Sequence, residues 1–152
     1  MGRVFKSGTT SSLLMKIISH RGNLKGKSDY ENDPIQVEAV LKMGLDCEID
    51  LWAKNKKYFL GHDEPLYEVK RSFLLQKGLW IHCKNLEALE QVPQKTNYFW
   101  HQTDDFTLTS KGYIWTFPKK NIGKKSVIVD NTENWRDKNY NCFAVCTDWI
   151  LL

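Results

Sequence analysis

The 152-residue sequence predicts an α/β protein, folded as a compact, helix-poor β/α barrel of seven to eight mostly parallel strands. Three observations carry that expectation. Short apolar runs rich in aromatic and β-branched residues recur along the chain, which is the composition of strands. The first two runs are separated by an amphipathic segment, so they make a βαβ unit with parallel pairing. The second half adds further strand-like runs with few and short helical segments between them. An open α/β sheet is the second architecture compatible with this order.

Lys16 to Ser19 is the first strand and delivers His20-Arg21-Gly22 at its C-terminal end. A polar loop, Asn23 to Asn32, follows. Asp33-Pro34 then opens a helix, with Asp as N-cap, Pro at the first helical position and Gln36 placed for a capping box. Ile35, Val37, Ala39, Val40 and Leu41 supply its apolar face, and Gly44 stops it. Leu45 to Trp52 is the second strand. Lys54 to Lys57 is a turn, and Tyr58 to Gly61 returns antiparallel if that turn is a tight hairpin. Ser72 to Gln76 and Leu86 to Gln91 read as short helices, ended near Gly78 and Pro93, with the strand Leu79 to Cys83 between them. Tyr98 to His101, Tyr113 to Phe117, Ser126 to Val129 and Phe143 to Cys146 are the remaining strands. Asp104 to Ser110 and Glu133 to Lys138 read as helical turns.

The length bounds the chain to one domain, well short of the roughly 250 residues usual for an eight-fold TIM barrel. We expect that domain to span 15–152, with 1–14 as a flexible leader or start-site extension, because those residues are rich in Ser, Thr, Gly and basic side chains. The formal charge of +4 attracts small anions, but the lysines form only short clusters. No continuous basic stripe points to nucleic acid. No run of about 18 apolar residues predicts a membrane span. None of the four cysteines forms a Cys-x-x-Cys pair, and Cys47 and Cys83 lie inside apolar runs. Reduced thiols and a cytoplasmic setting follow as expectations. Short helices leave outer sheet surface uncovered, which suits a homodimer.

Glu48 and Asp50 stand two apart in an otherwise apolar strand, so both point to the same side. Two buried acids on one face repel and lose hydration, and a hard cation relieves both problems. A strand with one solvated face would also carry alternating acids, but a sheet covered on both sides leaves little room for that reading. The hairpin brings Gly61 to Asp63 beside Glu48 to Asp50, so His62 reaches the same place. His20 and His62 can trade protons near neutral pH. Arg21 offers a planar fork for phosphate oxygens. Of the six tryptophans, most belong to the core, while Trp115 and Trp149 are placed to line a pocket. These parts suit metal-assisted acid–base cleavage of a phosphodiester.

The order His20-Arg21-Gly22, Glu31-Asn32, Glu48-Ile49-Asp50 and His62-Asp63 resembles the glycerophosphodiester phosphodiesterase family, within the phosphatidylinositol-phospholipase-C-like phosphodiesterases. Thr147-Asp148 is weakly similar to that family's closing segment. The resemblance implies a β/α barrel with its site at the strand C-terminal ends. It implies His20 and His62 as the acid–base pair, and Glu48 and Asp50 as ligands of Mg²⁺ or Ca²⁺. Arg21 would bind phosphate, and Glu31 and Asn32 would organise the pocket. It also implies a Glu-x-Lys strand carrying a third ligand and a phosphate-binding lysine. Here Lys84 is kept, but His82 stands where the glutamate is expected. A neutral imidazole is a poor Ca²⁺ ligand and a good one for Mn²⁺ or Zn²⁺. The expected partner is a small glycerophosphodiester-like molecule. The alternative is a non-catalytic domain that binds a phosphate ester on the same fold.

Overall fold

A computed structural model describes residues 15–151, so the expectation for the leader falls outside the described residues. In chain order the strands are β1 (Lys16–His20), β2 (Asp46–Lys54), β3 (Lys57–Leu60), β4 (Tyr67–Val69), β5 (Leu79–Cys83), β6 (Asn97–Phe99), β7 (Phe106–Leu108), β8 (Ile114–Thr116), β9 (Ser126–Val129) and β10 (Ala144–Thr147). The helices are α1 (Pro34–Lys42), α2 (Arg71–Leu74) and α3 (Leu86–Gln91), with a 3-10 turn at Trp135–Lys138.

Seven strands run parallel in the spatial order β6, β5, β2, β1, β10, β9, β8. The antiparallel β3–β4 hairpin extends the C-terminal half of β2, and antiparallel β7 flanks β8. The chain is thus helix-poor α/β, but its ten-stranded sheet is curled, mixed and open. The expectation of a helix-poor α/β fold with mostly parallel strands holds; the expected closure into a barrel of seven to eight strands does not form, because the sheet stays open and carries antiparallel strands. β6 and β7, at the two edges, form no strand pair with each other. They approach through Ser110, whose N–H donates to the Tyr98 carbonyl (2.8 Å) and whose hydroxyl accepts from the Tyr98 N–H (2.9 Å). Three-residue edge strands are too short to build a closing ladder there.

Local chemistry explains most element boundaries. The β2–β3 turn is Asn55-Lys56, both left-handed at φ 53° and 63°, the backbone of a type I′ hairpin. Asp33 caps α1 by accepting from the Ile35 N–H. The expected capping box does not form, because the Gln36 amide instead donates to the Gly22 carbonyl at 2.8 Å. That bond ties α1 to the loop after β1. The helical turn expected over Asp104–Ser110 is strand β7: two acids resemble a helix start, but Phe106-Thr107-Leu108 fits a pleat and pairs with β8. β4 is three residues long, too short to show a period.

Strand alternation sorts side chains onto the two faces of the sheet. Cys47, Ile49, Leu51, Ile81 and Cys83 face outward and pack with Val37, Val40 and Ala88 of α1 and α3. Ile18, Trp80, Phe99, Trp115, Val127, Ala144 and Cys146 fill the concave side. All four cysteines are free thiols. No helix among the described residues is long and apolar enough to cross a membrane.

Asp130, just after β9, pins the 130–140 loop. Its Oδ1 accepts from the Thr132 N–H (2.9 Å) and hydroxyl (2.6 Å), and its Oδ2 from Lys138 Nζ (2.7 Å) and Tyr140 Oη (2.6 Å). Burial opposes its ionisation, yet Lys138, Thr132 and Tyr140 together bring its pKa down to about 2. A depressed folded-state pKa means stability present above the unfolded value and lost as pH falls through the folded one. Asp130→Ala should therefore cost about 2–3 kcal/mol at neutral pH. In urea titrations the gap to wild type should narrow between about pH 4 and pH 2. A gap independent of pH would show that the loop is held by other contacts.

Candidate functional site

The inner face of β2 carries three acids in a row, Asp46, Glu48 and Asp50, because its outer face is taken by the apolar core. Asp46, at the N-terminal end, is satisfied by Trp80 Nε1 at 2.9 Å. Glu48 and Asp50 lie deeper and are fully buried. Register places His20 of β1 beside Glu48, and His82 of β5 beside Asp50. Glu48, Asp50, His20 and His82 meet toward the C-terminal ends of the parallel strands.

Asp50 is held by its surroundings. Its Oδ2 accepts from Asn32 Nδ2 (3.0 Å), while Asn32 Oδ1 accepts from the Asp50 N–H (2.9 Å). Arg21 Nε lies 3.2 Å and His62 Nδ1 3.5 Å from the same Oδ2, and His82 Nδ1 lies 3.3 Å from Oδ1. Burial works against its charge, but His62, His82 and Arg21 hold its pKa well below the usual carboxylate range. Glu48 is the opposite case. Burial and then the charge of Asp50 push it well above that range, against Arg21 and Lys84. Glu48 Oε1 and Asp50 Oδ1 are buried and make no hydrogen bond among the described residues. Two such unsatisfied oxygens, on acids whose ligand atoms lie within 4.8 Å of one another, are what a cation would satisfy.

His20 faces the cluster from β1. Its Nδ1 lies 2.7 Å from Asp148 Oδ1, and its Nε2 lies 3.9 Å from Glu48 Oε1. Burial disfavours the Asp148 anion, yet His20 and Asn23 hold its pKa below the usual value. An ionised carboxylate only accepts, so Nδ1 carries the proton and Nε2 is left to work inside the site. Asn23 donates to Asp148 Oδ1 (2.9 Å) and to Glu31 Oε2 (2.7 Å), which joins the two acids.

Arg21 follows β1 in the left-handed region at φ 61°, and Asn32 shares that conformation at φ 65°. Asparagine tolerates it; arginine there stores of order 1 kcal/mol of strain. The turn is braced by Arg21 N–H to the Glu48 carbonyl and Asn32 N–H to the Arg21 carbonyl, both 2.9 Å. Glu31 accepts from Arg21 Nη1 at 3.3 Å. Arg21 Nη2 lies 3.4 Å from His62 Nε2. Guanidinium can only donate, so that nitrogen is the acceptor. The charge of Arg21 is reinforced by Glu48, Asp50 and Glu31, which outweigh its burial.

His62 follows β3, where the Gly61 N–H donates to the Asp50 carbonyl at 3.1 Å. Gly61 cannot take a side chain: a Cβ would stand 2.0 Å from the Glu64 carbonyl oxygen. The 61–64 loop folds that tightly over itself and thereby aims His62 back at Asp50.

The structure thus brings together His20, Arg21, Glu31, Asn32, Glu48, Asp50, His62 and His82. Glu31 and Asn32 act as clamps, one on Arg21 and the other on Asp50. Lys84 follows β5, and its charge is felt by Glu48. Trp149 is not gathered with the carboxylates. It packs with Ile128, Trp135 and Val145 on the outer side and lies under Gly26, where a Cβ would meet its ring at 2.8 Å. Trp115 is buried in the concave core, stacked on Phe99 at 4.5 Å. Sequence reasoning gave Asp148 and Asn23 no role. The available signal for Asp148 was an acid closing the last strand; its pairing with His20 follows only once β10 is known to lie beside β1. Compared with known proteins, the chain matches no family model, no curated protein and no solved structure.

Proposed function

We propose that this protein is a metal-dependent phosphodiester hydrolase acting on a small glycerophosphodiester-like substrate. The observation that carries the reading is the convergence of two histidines and an arginine on two buried carboxylates with unsatisfied oxygens. Glu48, Asp50 and His82, whose ligand atoms all lie within 4.8 Å of one another, would hold the divalent cation. When bound, the cation supplies charge neutralisation at the phosphate oxygens.

The protein's own residues account for the proton transfers. His20 and His62 reach the cluster from the same edge of β2, one from the end of β1 and one from the β3 hairpin that continues along that edge. One deprotonates the attacking water, whose oxygen bonds to phosphorus as the ester P–O bond breaks; the other protonates the departing alkoxide. Asp148 positions His20 by fixing its tautomer. Arg21 and Lys84 supply positive charge for the diester, and Glu31 keeps the Arg21 fork in place. A substrate hydroxyl next to the ester can itself attack, expelling the alkoxide and giving a cyclic phosphate that water then opens with the two histidine roles exchanged.

Steady-state hydrolysis of a phosphodiester panel, with Mg²⁺, Mn²⁺ and Ca²⁺ supplied separately, tests this. We expect turnover of at least one glycerophosphodiester, abolished by chelator, with a bell-shaped pH profile peaking near neutrality. A rate that rises steadily with pH, unchanged by chelator, would contradict both the metal and the paired histidines.

A further inference from the structure

We propose that His82 ligates through Nδ1 and makes this cluster selective for a first-row transition ion, Mn²⁺ or Zn²⁺, over Mg²⁺ and Ca²⁺. This deepens the reading just given and rests on its claim that Glu48 and Asp50 bind a cation.

His82 Nε2 lies 2.9 Å from the carbonyl oxygen of His101, beyond the end of β6. A carbonyl oxygen accepts and never donates, so Nε2 carries a proton in either charge state of the ring. The neutral ring therefore presents the lone pair of Nδ1. That nitrogen faces the acids, 3.3 Å from Asp50 Oδ1 and 3.8 Å from Glu48 Oε2. The ring cannot easily turn away, because it stacks on Phe99 at 5.0 Å with 18° between planes. A backbone carbonyl holding the distal N–H is the usual outer support of a metal-bound histidine.

The carboxylates are prepared in the same sense. Asn32 and Arg21 engage Asp50 Oδ2 and leave Oδ1, the oxygen nearest His82, without a hydrogen bond. Glu48 Oε1 is likewise unsatisfied. Atoms bound about 2.1 Å from one ion stand about 3–4 Å apart, the spacing His82 Nδ1 already has from Asp50 Oδ1 and Glu48 Oε2. One imidazole nitrogen with two carboxylates is a mixed N/O set. Mg²⁺ and Ca²⁺ favour oxygen alone, whereas imidazole adds affinity along the first transition row. The competing account makes His82 a charged partner of Asp50 only; it gives the ring no part in metal choice.

The test is calorimetric titration of the untagged, chelator-stripped full chain with MnCl₂, ZnCl₂, MgCl₂ and CaCl₂ at one neutral pH. Wild type should bind Mn²⁺ and Zn²⁺ at least about 10-fold tighter than Mg²⁺ or Ca²⁺. His82→Ala should weaken Mn²⁺ binding about 10–100-fold and erase the preference. His82→Glu should move the preference toward Ca²⁺. Pulsed electron paramagnetic resonance of the Mn²⁺-loaded protein supplies a readout independent of folding margins: nitrogen modulation present in wild type and absent in His82→Glu. Equal affinities for all four ions with no nitrogen modulation would overturn the proposal while leaving the cation site standing. Failure of wild type to bind any of them would overturn the cation reading as well.

Discussion

Alanine at His20 or at His62 is expected to lower phosphodiester turnover by about 10²-fold or more while the protein stays folded. The two imidazoles do not substitute for each other. His20 is held by Asp148 at 2.7 Å on the β1 side, and His62 sits against Asp50 and Arg21 on the hairpin side. In the proposed mechanism each would serve one proton transfer, and removing either would stall the cycle. The double variant should lose little more than the worse single one, because groups acting as a unit are not additive. His62 is the cleaner site, since its side chain is 40% exposed and contributes little packing. Turnover measured beside thermal melts checks this. Retained activity in both single variants would remove the histidines from the mechanism.

The second large effect is a divergence between two neighbouring carboxylates. Asp50→Ala should destabilise the chelator-treated protein by about 3–5 kcal/mol, because it leaves the Arg21 charge and the Asn32 amide buried without their partner. Glu48→Gln should do the reverse. Burial and the Asp50 charge push the Glu48 pKa well above its ordinary value. A carboxyl group with a raised folded-state pKa loses stability as pH climbs from the unfolded value toward the folded one. Removing its charge should therefore raise stability at neutral pH by about 1 kcal/mol, some 2–4 °C in Tm. The gain should fade toward pH 4, where the wild-type carboxyl is protonated in both states. Glu48→Gln should also lose cation affinity and turnover. A variant that is more stable yet inactive marks a group kept for function rather than folding. If Glu48→Gln were as damaging as Asp50→Ala, Glu48 would be a structural acid.

These contrasts show what the sequence could and could not reveal. Spacing alone placed Glu48 and Asp50 on one face, since a strand has a period of two. The Asn55-Lys56 turn set the hairpin, and the hairpin delivered His62. Both are local inferences. Asp148 meets His20 across 128 positions of sequence, through the non-local pairing of β10 with β1. No nearby pattern encodes that pairing. The same holds for the His82 ring, whose tautomer is fixed by a backbone carbonyl of the neighbouring strand's end. The barrel expectation overreached because parallel order does not determine closure. The short β6 and β7 leave the sheet open, and β7 itself was obscured by Asp104-Asp105. Trp149 looked placed for a pocket by proximity to Asp148, but successive residues at the end of a strand point to opposite sides.

The most direct test of the central claim is a phosphorus-31 NMR time course. A small glycerophosphodiester is mixed with purified protein and Mn²⁺ at neutral pH, with the His62→Ala variant as control. With wild type the diester resonance is expected to decay into a phosphomonoester resonance, directly or through a cyclic phosphate, and only about one-hundredth as fast with the variant. A diester resonance that shifts or broadens on binding but is never consumed, for every glycerophosphodiester tried with Mn²⁺, Mg²⁺ and Ca²⁺, would contradict that claim. The site would then belong to a domain that binds phosphate esters without cleaving them.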